Sequence, residues 1–182
     1  MNRCAVTLVL LCLSLGVAAC AQPKAADTTK TRVRGEYDPQ TGKLTRLESD
    51  SNGDGKPDTW GYMDGTRLVR VEVDEDGDGK VDRWEYYDGS TGSNPVVLER
   101  VERSTRRDGK VSRWEHFEHG QLTRVEEDTD GDGKVDKWER YTNGTLASLA
   151  IDTQHRGSPD RRLIYRADGT LDRIEDEPTG GR

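Results

Sequence analysis

Acidic side chains recur at the first, third, fifth, ninth and twelfth places of residues 74–85, as Asp74, Asp76, Asp78, Asp82 and Glu85. That is the spacing of a hard-cation loop. Ca²⁺ takes about 6–8 oxygens, and a twelve-residue loop supplies them from alternate side chains, one backbone carbonyl and a final bidentate carboxylate. The carbonyl falls to Lys80, Gly79 stands at the sixth place where the chain must turn sharply, and Val81 is an apolar anchor at the eighth. The pattern returns complete in Asp128, Asp130, Asp132, Gly133, Lys134, Val135, Asp136 and Glu139. Earlier in the chain, Asp50, Asn52, Asp54, Gly55, Lys56 and Asp58 keep the first positions, but Gly61 stands where the bidentate Glu belongs, so weaker binding is expected there.

Two further copies have changed ligands. One runs through Ser104, Arg106, Asp108, Gly109, Ser112 and Glu115; the other through Asp152, Gln154, Arg156, Gly157, Asp160 and Leu163. Both read as loops that keep the turn and have lost the metal. In chain order the five are called here the first to fifth loops. Asp-Gly-rich runs found singly are ordinary solvated turns. Repetition and the mutual repulsion of four or five carboxylates in one tight loop argue instead for a cation in the second and fourth.

These loops resemble the calcium loop of EF-hand proteins, and their first nine positions resemble the loops of thrombospondin type three repeats. The resemblance implies Ca²⁺ and ends at the loops. An EF-hand has helical flanks, whereas residues 68–73 (LVRVEV) lead in and residues 84–87 (WEYY) lead out. Such β-branched and aromatic flanks predict strands.

The elements that must position the loops are repeated units. Loops begin at residues 50, 74, 104, 128 and 152, in steps of 24, 30, 24 and 24. A fixed period of this size means stacked units. The longer step is explained by an extended turn in residues 90–95. Trp60, Trp84, Trp114 and Trp138 each follow the ninth loop position by two residues, with Arg162 in that place in the last unit. Turns follow at Asp64-Gly65, Asp88-Gly89, His119-Gly120, Asn143-Gly144 and Asp168-Gly169, with a looser one over residues 38–42. Such dipeptides between alternating runs signal hairpins.

The expected fold is therefore all-β: six hairpins, about a dozen antiparallel strands, and the array either an open sheet or a closed barrel. Rows of Trp, Leu, Arg and Glu follow from stacking, with cross-strand Arg to Glu pairs fixing register. The four Trp residues are expected as the core that holds the hairpins together, in preference to a sugar-stacking platform. The aromatic-x-Tyr-x-x-Gly-x-Leu run resembles membrane occupation and recognition nexus (MORN) repeats, hairpin units in a single sheet, which serve as scaffolds, membrane contacts or immunity-type partners.

Ahead of the repeats, residues 1–19 carry Arg3, an apolar run and small residues, the pattern of a secretory signal in preference to a membrane span. Val17-Ala18-Ala19-Cys20 resembles the lipobox of bacterial lipoproteins. That resemblance implies cleavage before Cys20, acylation of Cys20, and, with Ala21 following, an outer-membrane address reached through the lipid. Cys4 and Cys12 would leave with the signal, so the mature chain has no disulfide framework or thiolate site. Residues 20–33 are expected as lipidated cysteine and tether, 34–176 as the repeat domain, and 177–182, with Pro178 and a Gly pair, as a disordered tail.

Only 31% of residues are hydrophobic and 35% are charged, with a net charge of -7. The charge gives no reason to expect nucleic acid. His116, Glu118 and His119 lie beside a hairpin turn and read as surface residues. No nucleophile sits in a recognisable setting and no phosphate loop opens a helix, so no enzyme is expected. The expected role is that of a calcium-binding envelope lipoprotein that braces a structure or holds a protein or envelope polymer. The alternative is a metal-independent interaction module whose acidic loops are turns only.

Overall fold

In the computed structural model of the chain, described over residues 32–88 and 96–176, the predicted period-2 segments are strands without a helix among them. The expected signal, Cys20, residues 90–95 and the tail lie outside the described residues. β1 (Arg32–Tyr37) and β2 (Leu44–Asp50), β3 (Thr59–Asp64) and β4 (Arg67–Val73), and β5 (Arg83–Tyr87) and β6 (Leu98–Arg103) form the first three hairpins. β7 (Arg113–Glu118) and β8 (Gln121–Glu127), β9 (Lys137–Thr142) and β10 (Thr145–Ile151), and β11 (Arg161–Tyr165) and β12 (Leu171–Asp176) form the rest. The first strand starts two residues before the expected domain boundary at Arg34, because Arg32 and Val33 already pair with Asp50 and Ser49.

The twelve strands lie in sequence order in one antiparallel sheet, each paired only with its chain neighbours. Of the two alternatives, this is the open array: β1 and β12 are edges and do not close on each other. Every hairpin has a register shift near its turn, for example between Tyr62 and Met63 or Ile164 and Tyr165. Such bulges strengthen local twist. Two turns, His119-Gly120 and Asn143-Gly144, have positive φ at both residues, which matches the right-handed twist of the flanking strands.

Among the described residues no second layer covers the sheet, so the core is small. Val101, Val125 and Ala150 are the buried apolar residues among those described. This corrects the expectation for the tryptophans, which are half-buried on an open face. Each Trp lies between residues of the two adjacent strands: Trp60 between Glu48 and Glu72, Trp84 between Glu72 and Glu102, Trp114 between Glu102 and Glu126. The Arg to Glu pairs expected across strands form in part, in Arg46–Glu36 at 3.0 Å and Arg113–Glu127 at 2.9 Å, whereas Arg70 and Arg100 pair along their own strands with Glu72 at 3.0 Å and Glu102 at 3.2 Å. The stack leaves no cross-strand Glu opposite Arg70 and Arg100. They face Tyr62 and Tyr86, with guanidinium carbons 4.1 and 4.3 Å from the ring centroids.

The opposite face alternates aliphatic and acidic rows. Val71, Val101 and Val125 of the return strands lie between Gly61, Glu85, Glu115 and Glu139 of the outgoing ones. Val125 is 1% exposed because the stems of these neighbours cover it. Val125→Ala should therefore cost about 2 kcal/mol in a urea melt, whereas Val33→Ala on the edge, where Val33 is 61% exposed, should leave the midpoint within error.

Candidate metal centre

All five loops join a return strand to the next outgoing strand, so they stand side by side along one margin of the sheet. Their first and ninth positions tie them together. The amide of Asp74 donates to the Asp58 carbonyl at 2.9 Å, Ser104 to Asp82 at 2.7 Å, Asp128 to Ser112 at 2.8 Å and Asp152 to Asp136 at 2.8 Å. Every buried polar residue among those described occupies one of these two positions.

Within each loop the side chains hold the backbone. Asp74 accepts from the amides of Gly77 and Gly79 at 2.7 and 2.8 Å, as Asp50 does from Gly53 and Gly55 and Asp128 from Gly131 and Gly133. Asn52, Asp76 and Asp130 each accept from the amide two residues on, as do Asp54, Asp78 and Asp132 from Lys56, Lys80 and Lys134. The sixth-position glycines have φ near +90°, as expected, in Gly55, Gly79 and Gly133. The fourth position has positive φ as well, in Gly53, Gly77 and Gly131, and also in Arg107 and His155. Side chains rarely tolerate that conformation.

Three of the sequence-predicted ligands converge in each complete loop. Ligand oxygens of Asp74, Asp76 and Asp78 lie within 4.8 Å of one another, and so do those of Asp128, Asp130 and Asp132. The ninth-position residues act first as braces. Asp58 accepts from the amide and hydroxyl of Ser51, Asp136 from those of Thr129 and Asp160 from those of Thr153; Ser112 takes the same place beside Thr105. In the second loop the residue at that place is Glu75, which has no hydroxyl and is drawn to Arg83 at 2.9 Å. Asp82, 3% exposed, keeps the Glu75 amide on Oδ2 and has no partner for Oδ1. Burial, then the charges of Asp76 and Asp74, push its carboxyl above the usual range. In Asp58 burial works the same way, but the Ser51 bonds outweigh it and hold the group below that range.

The twelfth-position glutamates are not brought into these clusters. Glu85 lies on β5 against Arg83 and accepts from the Tyr87 hydroxyl at 2.5 Å; Glu139 lies on β9 with Lys137 at 2.8 Å and Tyr141 at 2.7 Å. Burial would raise Glu139, but Lys137 and Tyr141 hold it below its ordinary value. Gly61, at the same place in the first loop, has the Leu68 side chain 3.4 Å from where a Cβ would stand. That aliphatic cover replaces the polar row.

The ligand-poor loops bring basic side chains to their neighbours. Arg107 of the third loop lies 3.5 Å from Asp76 of the second, and Arg106 reaches the carbonyl of Asp128 at 3.1 Å and its carboxylate at 3.4 Å. Burial raises Asp128, but the glycine amides and Arg106 hold it down. His155 Nδ1 of the fifth loop lies 2.7 Å from Asp130, and together with Asp136 the two form a third cluster. Lys80 extends its ammonium to Asp78 at 2.8 Å. His116 remains on the sheet, 3.2 Å from Arg124 and lowered by burial and by that guanidinium.

No protein family profile and no curated protein sequence matches the chain. Among solved structures, one chain of the crystal structure of accessory secretory protein 1, 2 and 3 in Streptococcus pneumoniae aligns at 15% identity with a TM-score of 0.32. The match covers 66% of this chain and 19% of that one, and at that score it carries no inference about fold or function.

The Tyr–Glu contacts give a titration. Burial and the Glu85 carboxylate push Tyr87 up to about 12, and burial with Glu139 does the same to Tyr141. Above the ordinary value of about 10 the unfolded chain loses these protons while the folded chain keeps them, so stability should fall as pH rises from about 10 towards 12. Tyrosinate absorbance should show Tyr87 and Tyr141 among the last groups to ionise, after Tyr62 and Tyr86, which are also raised, and Glu85→Gln should bring Tyr87 back towards 10.

Proposed function

We propose that this chain is a calcium-braced envelope lipoprotein, held to the membrane through Cys20 and presenting its sheet to a protein or envelope polymer. The observation that carries the metal reading is the second loop. Asp74, Asp76 and Asp78 already converge, and beside them a buried carboxylate oxygen of Asp82 has no hydrogen bond. A buried charged acceptor left unpaired is costly, and a cation in the loop would relieve both it and the repulsion among its neighbours. With the carbonyl of Lys80, which the loop pattern assigns to the seventh place, these would make an all-oxygen donor set suited to Ca²⁺. In the fourth loop Asp136 is already satisfied by Thr129, and Arg106 and His155 compete for Asp128 and Asp130. The second loop has basic neighbours as well, Arg107 at Asp76 and Lys80 at Asp78. It is thus the unpaired Asp82 oxygen that makes it the stronger site, with the fourth weaker and the first, with Asn52 and no final acid, weaker still.

The ion's role would be structural: it holds the angle between β4 and β5 by gathering one loop, and binding to the folded form alone stabilises it by mass action. A second reading keeps its place because the third and fifth loops close through the same first- and ninth-position bonds without a full ligand set. On that reading the array is a metal-independent interaction module.

Calorimetric titration of Ca²⁺ into chelator-treated chain lacking residues 1–20, with Mg²⁺ as control, should show one dominant site, and the melting temperature should rise with Ca²⁺. Asp82→Asn should abolish that response while raising the melting temperature of the ion-free form by roughly 2–4 °C, the effect of relieving about 1 kcal/mol. Absence of heat and of any thermal shift up to millimolar Ca²⁺ would leave the metal-independent module. Separately, Cys20→Ser should move the protein from the membrane fraction to the soluble one and end its labelling by palmitate.

A further inference from the structure

The two ends of the sheet match each other. Five large hydrophobic residues are exposed among those described, and four lie on the edge strands: Val33 and Tyr37 on β1, Leu171 and Ile174 on β12. Inside the sheet, every loop-connected pair of strands uses one register. Between β2 and β3 it sets Arg46 opposite Tyr62, Leu47 opposite Gly61, Glu48 opposite Trp60 and Ser49 opposite Thr59, and the later pairs repeat it. Arg173, Ile174 and Glu175 hold the places on β12 that Arg46, Leu47 and Glu48 hold on β2. Arg34, Gly35 and Glu36 hold on β1 the places that Trp60, Gly61 and Tyr62 hold on β3.

We infer that β12 of one copy adds to β1 of a second copy in this register, extending the sheet head to tail. The joint sets Arg173 opposite Glu36, Ile174 opposite Gly35 and Glu175 opposite Arg34. Charge decides the match. Along one row the order becomes Arg162, Glu175, then Arg34 and Glu48 of the next copy; along the other Arg173 meets Glu36, which is itself 3.0 Å from Arg46. Both rows alternate in sign across the joint. On the other face Ile174, 54% exposed in the single copy, meets Gly35, repeating the Leu47 and Gly61 pair inside the sheet.

Two departures from the repeat meet at the joint. Arginine replaces tryptophan in the first and last hairpins, at Arg34 and Arg162, where each would flank Glu175. Arg34 makes no ion pair among the described residues, although it faces Glu48. Unpaired strand edges present free amides and carbonyls to any chain of matching pattern, and here the best match is the chain's own opposite edge. The contact is heterologous, so it does not close on a pair and grows linearly.

Sedimentation of the chain without residues 1–20, which leaves all twelve strands, tests this. The wild type should show a mass that rises with concentration. Arg34→Glu and Glu175→Arg each place like charges at the joint, so each alone should sediment as a single chain with an unchanged circular dichroism spectrum. Mixed in equal amounts they regain opposite charges at both kinds of joint, and mass growth should return. A wild type that stays a single chain at all concentrations overturns the inference, as closure of β12 on its own β1 would. So does a Glu175→Arg chain that still pairs by itself, which would mean a symmetric β1 to β1 contact, or a mixture that does not associate.

Discussion

A one-layer sheet has little apolar burial with which to hold itself together, and in this chain the carboxylates at the first and ninth loop positions carry the difference. They are buried, they gather the loop amides, and through their backbones each loop is bonded to the one before it. Hydrogen bonds to charged acceptors contribute more than neutral ones, about 1.5–3 kcal/mol each. The loop margin is therefore the polar counterpart of a core: a continuous column along the sheet in which satisfied acceptors replace packed methyl groups. Where a member lacks its partner, as Asp82 does, the column contains an unmet demand for positive charge, and the metal proposal rests on that single lapse in an otherwise complete set of bonds.

The faces follow from the same economy of apolar residues. Long side chains lie along the sheet and cover one another: valines under the stems of Arg, Lys and Glu, tryptophans between glutamates, arginines over tyrosines. Each contact is worth little, since exposed ion pairs contribute about 0–1 kcal/mol and cation–π contacts about 0.5–1. They recur along the middle of the array, however, and repetition lets small terms add up. Nothing in this arrangement requires a second layer, which is why the Trp residues can stay half open.

Strand positions, hairpin turns and loop boundaries were legible because period, turn dipeptides and the Trp spacing all report backbone geometry, and each is local. The glycines at the sixth loop position were read correctly for the same reason. What was not legible was layer number. A Trp in four successive units is compatible with a buried core between two sheets or with one wet sheet, and no single unit distinguishes them. The second-position hydroxyl is a signal present in the sequence, Ser51, Thr105, Thr129 and Thr153 against Glu75, but not one that a single loop explains. Its meaning depends on a bond seven residues away, to the ninth position. Likewise Arg106 reads as a lost ligand within its own loop, and Arg107 and His155 carry no signal there; only the stacking of loops brings the three to Asp128, Asp76 and Asp130.

The strictly sequential strand order has a mechanical side. Each strand touches only its neighbours in the chain, so no bond spans the sheet from end to end. Tension applied between the two termini would load one strand pair at a time, peeling hairpins from an edge in steps of a repeat, instead of shearing many ladders together. Such a body yields gradually and lengthens by about one repeat with each unit released, and an ion bound as proposed in the second loop would act as a clasp that sets the force of its own step.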